Sequence, residues 1–373
     1  MTIHPLKSML LGVAYRLAAK PVFFRLDPEF VHDRTTAAGA ALGRHGTGRA
    51  VVRALFHYGD PILRQELCGL TFDNPVGLAA GFDKNARLTE ILPHVGFGHA
   101  ELGSITGQPC AGNPRPRLWR IPHLRALRVH YGLKNEGARA VAVRLRGRTF
   151  GCVMGVSAAK TNCRETCDTT AAVHDYGIVL DEFRDIADYF TINISCPNAF
   201  GGQPFTEPAL LDTLLAAVDR RSLRQPVFVK LSPDLTEAQL DDVLGVLDGH
   251  RVSGIVCSNL TKDHVRMGLP DGLPGRGGIS GNAVRGLAER QLEYCASKSR
   301  GRYVLVSVGG IFSAEDVYRR IRMGASLVQL ITGMVYRGPQ LVGELNYGLA
   351  RLLRRDGFSS VAEAVGADIG TGR

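Results

Sequence analysis

Asn193, Ser195, Cys196 and Asn198 crowd into six residues, NISCPN, at the end of an apolar run that begins at Tyr189. Each carboxamide offers both a donor and an acceptor, so the two asparagines suit a planar polar ligand. By residue type Cys196 is a nucleophile, a base or an inert thiol. Its place beside Pro197, where a loop begins, favours exposure to a site. The Cys-His-Asn order of cysteine proteases is missing, so acyl transfer gains no support. Lys230 stands inside VFVKLS between apolar neighbours. A lysine aimed into a protein interior is costly unless it meets an anion or takes part in chemistry. It is either a lysine that snorkels to an edge or a cation facing an electron-rich cofactor ring, where it stabilises negative charge on reduction. Lys84, in AAGFDK, poses the same choice.

Two glycine-bearing strand ends add a second kind of chemistry. Gly309-Gly310 follows VLVSV, and Thr332-Gly333 follows LVQLI. Alone, such glycines are turn chemistry. Paired on the last two strands of a barrel, they suit a phosphate held by backbone N–H groups.

The elements that must position these residues follow from hydrophobic patterning. Eight short β-type runs recur at 75–81, 99–104, 152–158, 189–195, 227–232, 254–259, 304–310 and 327–333. They are continuously apolar rather than alternating, as parallel strands buried on both faces are. Helix-length stretches such as 208–221 and 235–249 separate them. The pattern predicts an α/β fold, a (β/α)8 TIM barrel. A doubly wound sheet is the alternative, but the G-x-G-x-x-G turn after its first strand is missing. Nearly every run ends in small or polar residues: Lys84 just beyond the first, then Ser104, Ser157, Asn193 to Cys196, Lys230, Ser258 and Asn259, Gly309 and Gly310, Thr332 and Gly333. In a barrel these ends converge on the catalytic face. The connection between the second and third runs, about 48 residues rich in Pro and Arg, reads as a lid or binding loop. A Gly-rich loop occupies 272–281, and 355–373 reads as a helical end with a frayed tail.

Composition narrows the function classes. The chain has 373 residues, 45% apolar, and a net charge of +10. That balance suits an anionic partner, but only Arg115 to Arg128 is densely basic, and zinc-finger spacing, basic heptads and aromatic-basic RNA signatures are missing, so no nucleic-acid partner is expected. Eight cysteines without a C-x-x-C suggest reduced thiols in a cytoplasmic chain. Cys163 and Cys167 lack a second pair of ligands, so no metal is expected. No stretch reaches the roughly 18 apolar residues of a membrane span. At the start, Leu6, Met9, Leu10, Val13, Ala14 and Leu17 fall at helical spacing, flanked by Lys7, Arg16, Lys20 and Arg25. A second helix is expected over 28–43, capped by Asp27 with Pro28 in its first turn. The two are either a helical pair packed on the core or a basic amphipathic hairpin lying on a membrane.

Several stretches together give the chain a family likeness: LDPEFVHD at 26–33, LTFDNPVGLAAGFDKN at 70–85, GNPRPRLWR at 112–120, NISCPN at 193–198, VKLSPDL at 229–235, GGISG at 277–281, VGGI at 308–311 and GASLVQL at 324–330. Over nearly its whole length the sequence resembles the dihydroorotate dehydrogenases, in particular the membrane-associated, quinone-linked class. The resemblance implies FMN at the barrel mouth, with Ala80, Gly81, Ser104, Asn193, Lys230, Ser258, Gly281, Gly310 and Thr332 around the flavin. It places Lys84, Asn193, Asn198 and Asn259 around a small-molecule substrate and makes Cys196 the base. Residues 1–45 would form a helical, membrane-associating quinone tunnel and 46–373 the FMN-binding barrel, peripheral on the inner face of the cell membrane, with quinone as electron acceptor.

Three departures stand out. The quinone-linked class carries serine where this chain has Cys196. Val129 and Leu260 replace an asparagine and a threonine that contact substrate. Ser157 replaces a flavin-contacting asparagine. Two functions remain open: oxidation of a C–C single bond, dihydroorotate to orotate, or the same flavin chemistry in a paralogue acting on a different, less polar substrate in specialised metabolism.

Overall fold

The computed structural model describes residues 3–263 and 275–369, so 272–274 of the Gly-rich loop lie outside the described residues. A hairpin of β1 (Gln65–Leu67) and β2 (Leu70–Phe72) precedes β3 (Val76–Leu78) and β4 (His99–Ile105). Next come β5 (Leu118–Ile121), β6 (Ala126–Val129), β7 (Val153–Ala158), β8 (Tyr189–Asn193), β9 (Val227–Lys230) and β10 (Gly254–Cys257). The last are β11 (Gly278–Ile279), β12 (Val304–Val308) and β13 (Leu327–Leu330). Eight of these close a parallel barrel in the order β10-β12-β13-β3-β4-β7-β8-β9. Seven fall inside the apolar runs and β4 outruns its own by one residue, so the (β/α)8 architecture expected from patterning is the one observed.

The barrel interior is filled in layers. At the bottom, Phe72 from the hairpin packs with Val153, Tyr189, Phe228, Val256 and Leu327 and stops the barrel. Two glycines make room for rings there: a Cβ on Gly77 would lie 2.1 Å from the His99 ring, and one on Gly155 would lie 2.1 Å from Tyr189. Strand periodicity of two then carries the inward face upward from Tyr189 to Thr191 to Asn193. The middle layer is polar. Glu101 Oε2 accepts from Thr191 Oγ1 at 3.0 Å and from Gln329 Nε2 at 3.1 Å. Above it the strand ends open into the site.

Two expectations are corrected. The stretch between β4 and β7 is not one long loop. It folds into the antiparallel pair β5–β6, extended by β11 into a three-stranded sheet, and the helix Ala138–Leu145. Alternation was short there, and the partner β11 lies some 150 residues away, so the pairing left no local mark. The C-terminal segment is not frayed over its described part. The helix Val361–Ala364 buries both terminal side chains completely, and the Gly366 N–H donates to the Ile321 carbonyl at 3.0 Å.

The N-terminal segment forms a nearly continuous helix from Ile3 to Arg25, widened to a π-helix over Tyr15–Ala19, followed by Pro28–Arg44 and Gly46–Phe56. Asp27 caps the second as expected, its carboxylate accepting from the Phe30 N–H at 2.8 Å. The first helix faces the wrong way for a core helix. Ser8 is buried, while Leu6, Met9, Leu10 and Leu17 are 52–76% exposed. Nine of the twelve large apolar side chains exposed among the described residues lie in the first 51 residues. Among the described residues no helix is long and apolar enough to cross a membrane.

Candidate active site

One cavity of about 590 Å³ joins the N-terminal helices to the strand ends of the barrel. Its outer part is lined by Phe23, Val31, Ala38, Leu42, Val52 and Phe56 from the helices. Its inner part is lined by Ala80, Gly81, Lys84, Ser104, Asn193, Cys196, Asn198, Lys230, Asn259 and Thr332. Ten of the residues expected from sequence thus meet in one space, although they come from six different strand ends or the loops that follow.

The polar strand ends are joined by hydrogen bonds rather than merely adjacent. Ser157 Oγ lies 2.8 Å from Ser104 Oγ, which accepts from Asn193 Nδ2 at 2.8 Å. Asn193 Oδ1 accepts from the Ser195 N–H and hydroxyl at 3.1 and 2.9 Å. Asn259 Nδ2 donates to Ser195 Oγ at 2.8 Å. The chain crosses β7, β4, β8 and β10 and fixes both amides before any ligand arrives. It leaves Asn193 one free N–H to offer. Asn198 is held separately: its Nδ2 donates to the Val129 carbonyl at 2.9 Å, and its Oδ1 lies 3.3 Å from His130 Nδ1.

Lys230 is 3% exposed, and its ammonium forms no hydrogen bond or ion pair among the described residues. Burial pushes its ammonium below the ordinary lysine value, and Glu101 opposes that shift. Lys84 Nζ lies 3.4 Å from His32 Nε2 and 4.1 Å from the centre of the Tyr131 ring, with no carboxylate in salt-bridge contact. Burial lowers its pKa to about 8, with Lys134 adding to the effect. Buried Lys230 and half-buried Lys84 therefore face one cavity without a contacting counter-anion, an arrangement that suits a negative ligand. Burial pushes the Cys196 thiol above its ordinary value, while the Asn198 backbone N–H, Lys262 and Lys160 pull it back. At rest Cys196 is therefore a thiol rather than a thiolate.

The glycine turns at the ends of the last two barrel strands are also assembled. Gly309 and Gly310 leave β12 at φ +112° and +77°, and Gly281 turns at φ +78°. Ser280 Oγ lies 2.8 Å from Thr332 Oγ1, and both residues line the cavity. The wholly buried Arg320 donates to the Gly309 carbonyl at 2.9 Å and to Ser307 Oγ at 3.0 Å, fixing the turn. Ser157, Ser258, Gly281, Gly309, Gly310 and Gly333 do not line the cavity itself. Ser157 braces Ser104. Gly333 lets the Ile311 carbonyl approach, since a Cβ there would lie 2.2 Å from it. Among the described residues no cluster of His, Cys, Asp and Glu could hold a metal ion.

Sequence reasoning missed His32, Arg120 and Tyr131, all cavity-lining. His32 comes from the second N-terminal helix and stacks edge-on against Phe82. Burial lowers its pKa to about 3, so it is neutral. Arg120 donates to the Leu26 carbonyl at 2.9 Å and lies 4.8 Å from the Phe24 ring, pinning the sheet to the helices. Both act across gaps of 50 residues or more, which local patterning does not see.

Comparison with known proteins agrees with this geometry. The family model described as dihydroorotate dehydrogenase matches residues 62–353. A protein of Anaeromyxobacter dehalogenans named dihydroorotate dehydrogenase (quinone) is 40% identical over 355 residues, covering 94% of this chain and 96% of its own. A protein of the same name from Gloeobacter violaceus is 38% identical, with coverage of 94% and 98%. Among solved structures, the dihydroorotate dehydrogenase of Eimeria tenella in complex with ferulenol superposes with a TM-score of 0.81 at 29% identity, over 92% of this chain and 96% of that one. The chain therefore belongs to the dihydroorotate dehydrogenase family, a family of oxidoreductases that act on CH–CH bonds.

Proposed function

We propose that this protein is a quinone-linked, FMN-dependent dihydroorotate dehydrogenase that works at a membrane surface. The observation that carries this reading is the pair of lysines without a contacting counter-anion, buried Lys230 and half-buried Lys84, in a cavity that also holds Cys196 and three fixed carboxamides. The residues suit a flavin mononucleotide. Ala80 and Gly81 give a floor almost without side chains, Lys230 supplies a charge without a partner, and the Gly309, Gly310 and Gly281 turns with Ser280 and Thr332 make a corner for a phosphate. FMN, when bound, supplies an acceptor for hydride and passes the electron pair on to a quinone.

The chain's own groups do the rest. Lys84 pairs with the substrate carboxylate, and Asn193, Asn198 and Asn259 orient its amide edges with the N–H groups left to them. Cys196, as thiolate, takes the proton from the carbon adjacent to the one that gives up hydride. Lys230 places positive charge where negative charge develops. The apolar helices exclude water from the inner cavity and offer a route of matching polarity for quinone. Their outward face, with Leu6, Met9, Leu10 and Leu17 among eight basic and three acidic residues in 1–56, suits a peripheral position on an anionic membrane face.

Purified protein should be yellow. Dihydroorotate should bleach it without air, and quinone should restore the colour. No bleaching at millimolar substrate would sink the assignment. A second reading rests on Val129 and Leu260, which present apolar side chains to the same cavity beside Asn198 and Asn259. It expects a less polar substrate to bleach the flavin faster than dihydroorotate in a panel of dihydropyrimidines and related enoate precursors.

A further inference from the structure

Glu29, in the second N-terminal helix, is buried to 4% and lies far from the barrel in sequence. Its carboxylate is shared by three cations: Arg117 at 2.8 Å, Arg115 at 3.0 Å and Lys134 at 3.2 Å. Together they hold its pKa near the bottom of the carboxylate range, at about 2, against the pull of burial. Such a cluster is more than is needed to fasten a helix. Arg117 is itself buried, and its remaining Nη1 donates to two carbonyls, Ala111 at 2.9 Å and Asn113 at 2.7 Å. Asn113 Nδ2 in turn donates to the Asn198 carbonyl at 3.2 Å, and Asn113 Oδ1 accepts from Asn162 at 3.1 Å. Every link from the helix to the loop after Cys196 is a direct hydrogen bond.

We infer that Glu29 is a positioning residue for Asn198, acting through Arg117 and Asn113, so that the N-terminal helices set the geometry of the substrate site. This rests on the proposed function, in which Asn198 holds substrate. A neutral residue at 29 leaves Arg117 with an uncompensated buried charge. The guanidinium then shifts, the 111–113 turn follows, and Asn198 loses the anchor on its backbone carbonyl. Misplacing a binding group lowers affinity for the bound edge without removing the base.

The test uses the purified holoenzyme with Glu29→Gln, Asn113→Ala and the double variant. For Glu29→Gln the expected result is a KM for dihydroorotate raised about tenfold. Its kcat should stay within about twofold. Orotate, titrated by flavin absorbance, should weaken in parallel. The double variant should be no worse than the worse single, because both break one chain. Amide hydrogen exchange should quicken over 196–200 in both singles and stay unchanged in the barrel strands. An unchanged KM, or effects that multiply in the double variant, overturns the inference. If Glu29→Gln does not fold, Arg117→Lys keeps the charge but loses the fork to both carbonyls, and the same KM rise is expected. If dihydroorotate fails to bleach even the wild-type flavin, the substrate assignment falls, and exchange over 196–200 alone decides the link.

Discussion

The two ends of the cavity are built on opposite rules. At the barrel end most polar groups are buried, and several are bonded to one another: Ser157 to Ser104 to Asn193 to Ser195 to Asn259. At the helical end, apolar side chains that a soluble core would cover stand exposed, Leu17 at 76%. A rigid polar end suits chemistry, where groups must be in place beforehand. An exposed apolar end suits a ligand or surface that brings its own cover. The cavity makes them one device, and the largest disturbances should separate them.

Removing Cys196 should hurt most and only at the barrel end. Cys196→Ala is expected to slow anaerobic flavin reduction by dihydroorotate by about 10²- to 10⁴-fold, the usual worth of a positioned base. Reoxidation of chemically reduced enzyme by quinone should be unaffected. Stopped-flow measurement of the two half-reactions separates them, and equal loss in both would deny the division between ends.

The barrel end should also carry an opposed pair of pH limbs. Lys84 has a pKa of about 8, so it is charged at neutral pH and discharges above that value. The KM should be flat below about pH 8 and then rise, approaching tenfold per unit. Cys196 is shifted upward by burial, so the rate should climb with pH as the thiol ionises, with a midpoint above the ordinary thiol value. Lys84→Met should abolish the KM limb and leave the rate limb. A KM limb that survives the change belongs to another group.

At the helical end, Leu10→Asp with Leu17→Asp should weaken binding to anionic vesicles. Burying a leucine is worth about 1.5–3 kcal/mol, so each lost side chain should lower the partition about tenfold or more. Bleaching by dihydroorotate in solution should be unchanged. A vesicle sedimentation assay reads the first and anaerobic titration the second.

These two ends were not equally legible in the sequence. The strands could be read because burial on both faces leaves continuous apolar runs, and the polar residues closing those runs marked the catalytic face. The helical pair could be read as helices, through Asp27 and the spacing of Leu6 to Leu17, but which face pointed outward could not. Burial of Ser8 beside the exposed Met9 depends on what the helix packs against. The same limit hid Glu29 and Arg117. A carboxylate 88 residues from its guanidinium carries no local pattern, and only the folded chain shows them meeting. Residues that act through their neighbours in space were lost, and residues that punctuate a strand were found.

The smallest effect bears on the wall between the two ends. Val129 closes β6, opposite Leu118 on β5 and Gly278 on β11, and Leu260 stands against Gly278 from the other side. This wall is apolar where a carboxamide and a hydroxyl would give an orotate ring two further partners. One hydrogen bond contributes about 0.5–1.5 kcal/mol, so Val129→Asn should lower the KM for dihydroorotate by roughly two- to tenfold if that is the substrate. The strand tolerates the change poorly, since asparagine is disfavoured in β-structure, so a loss of stability of up to about 1 kcal/mol is expected alongside. A KM that rises instead would mean that Val129 meets an apolar part of the true substrate, because a carboxamide left without a partner against it costs more than it gives. The direction of that one change, read as KM beside thermal stability, decides whether the apolar character of the helical end reaches into the substrate pocket or stops at its edge.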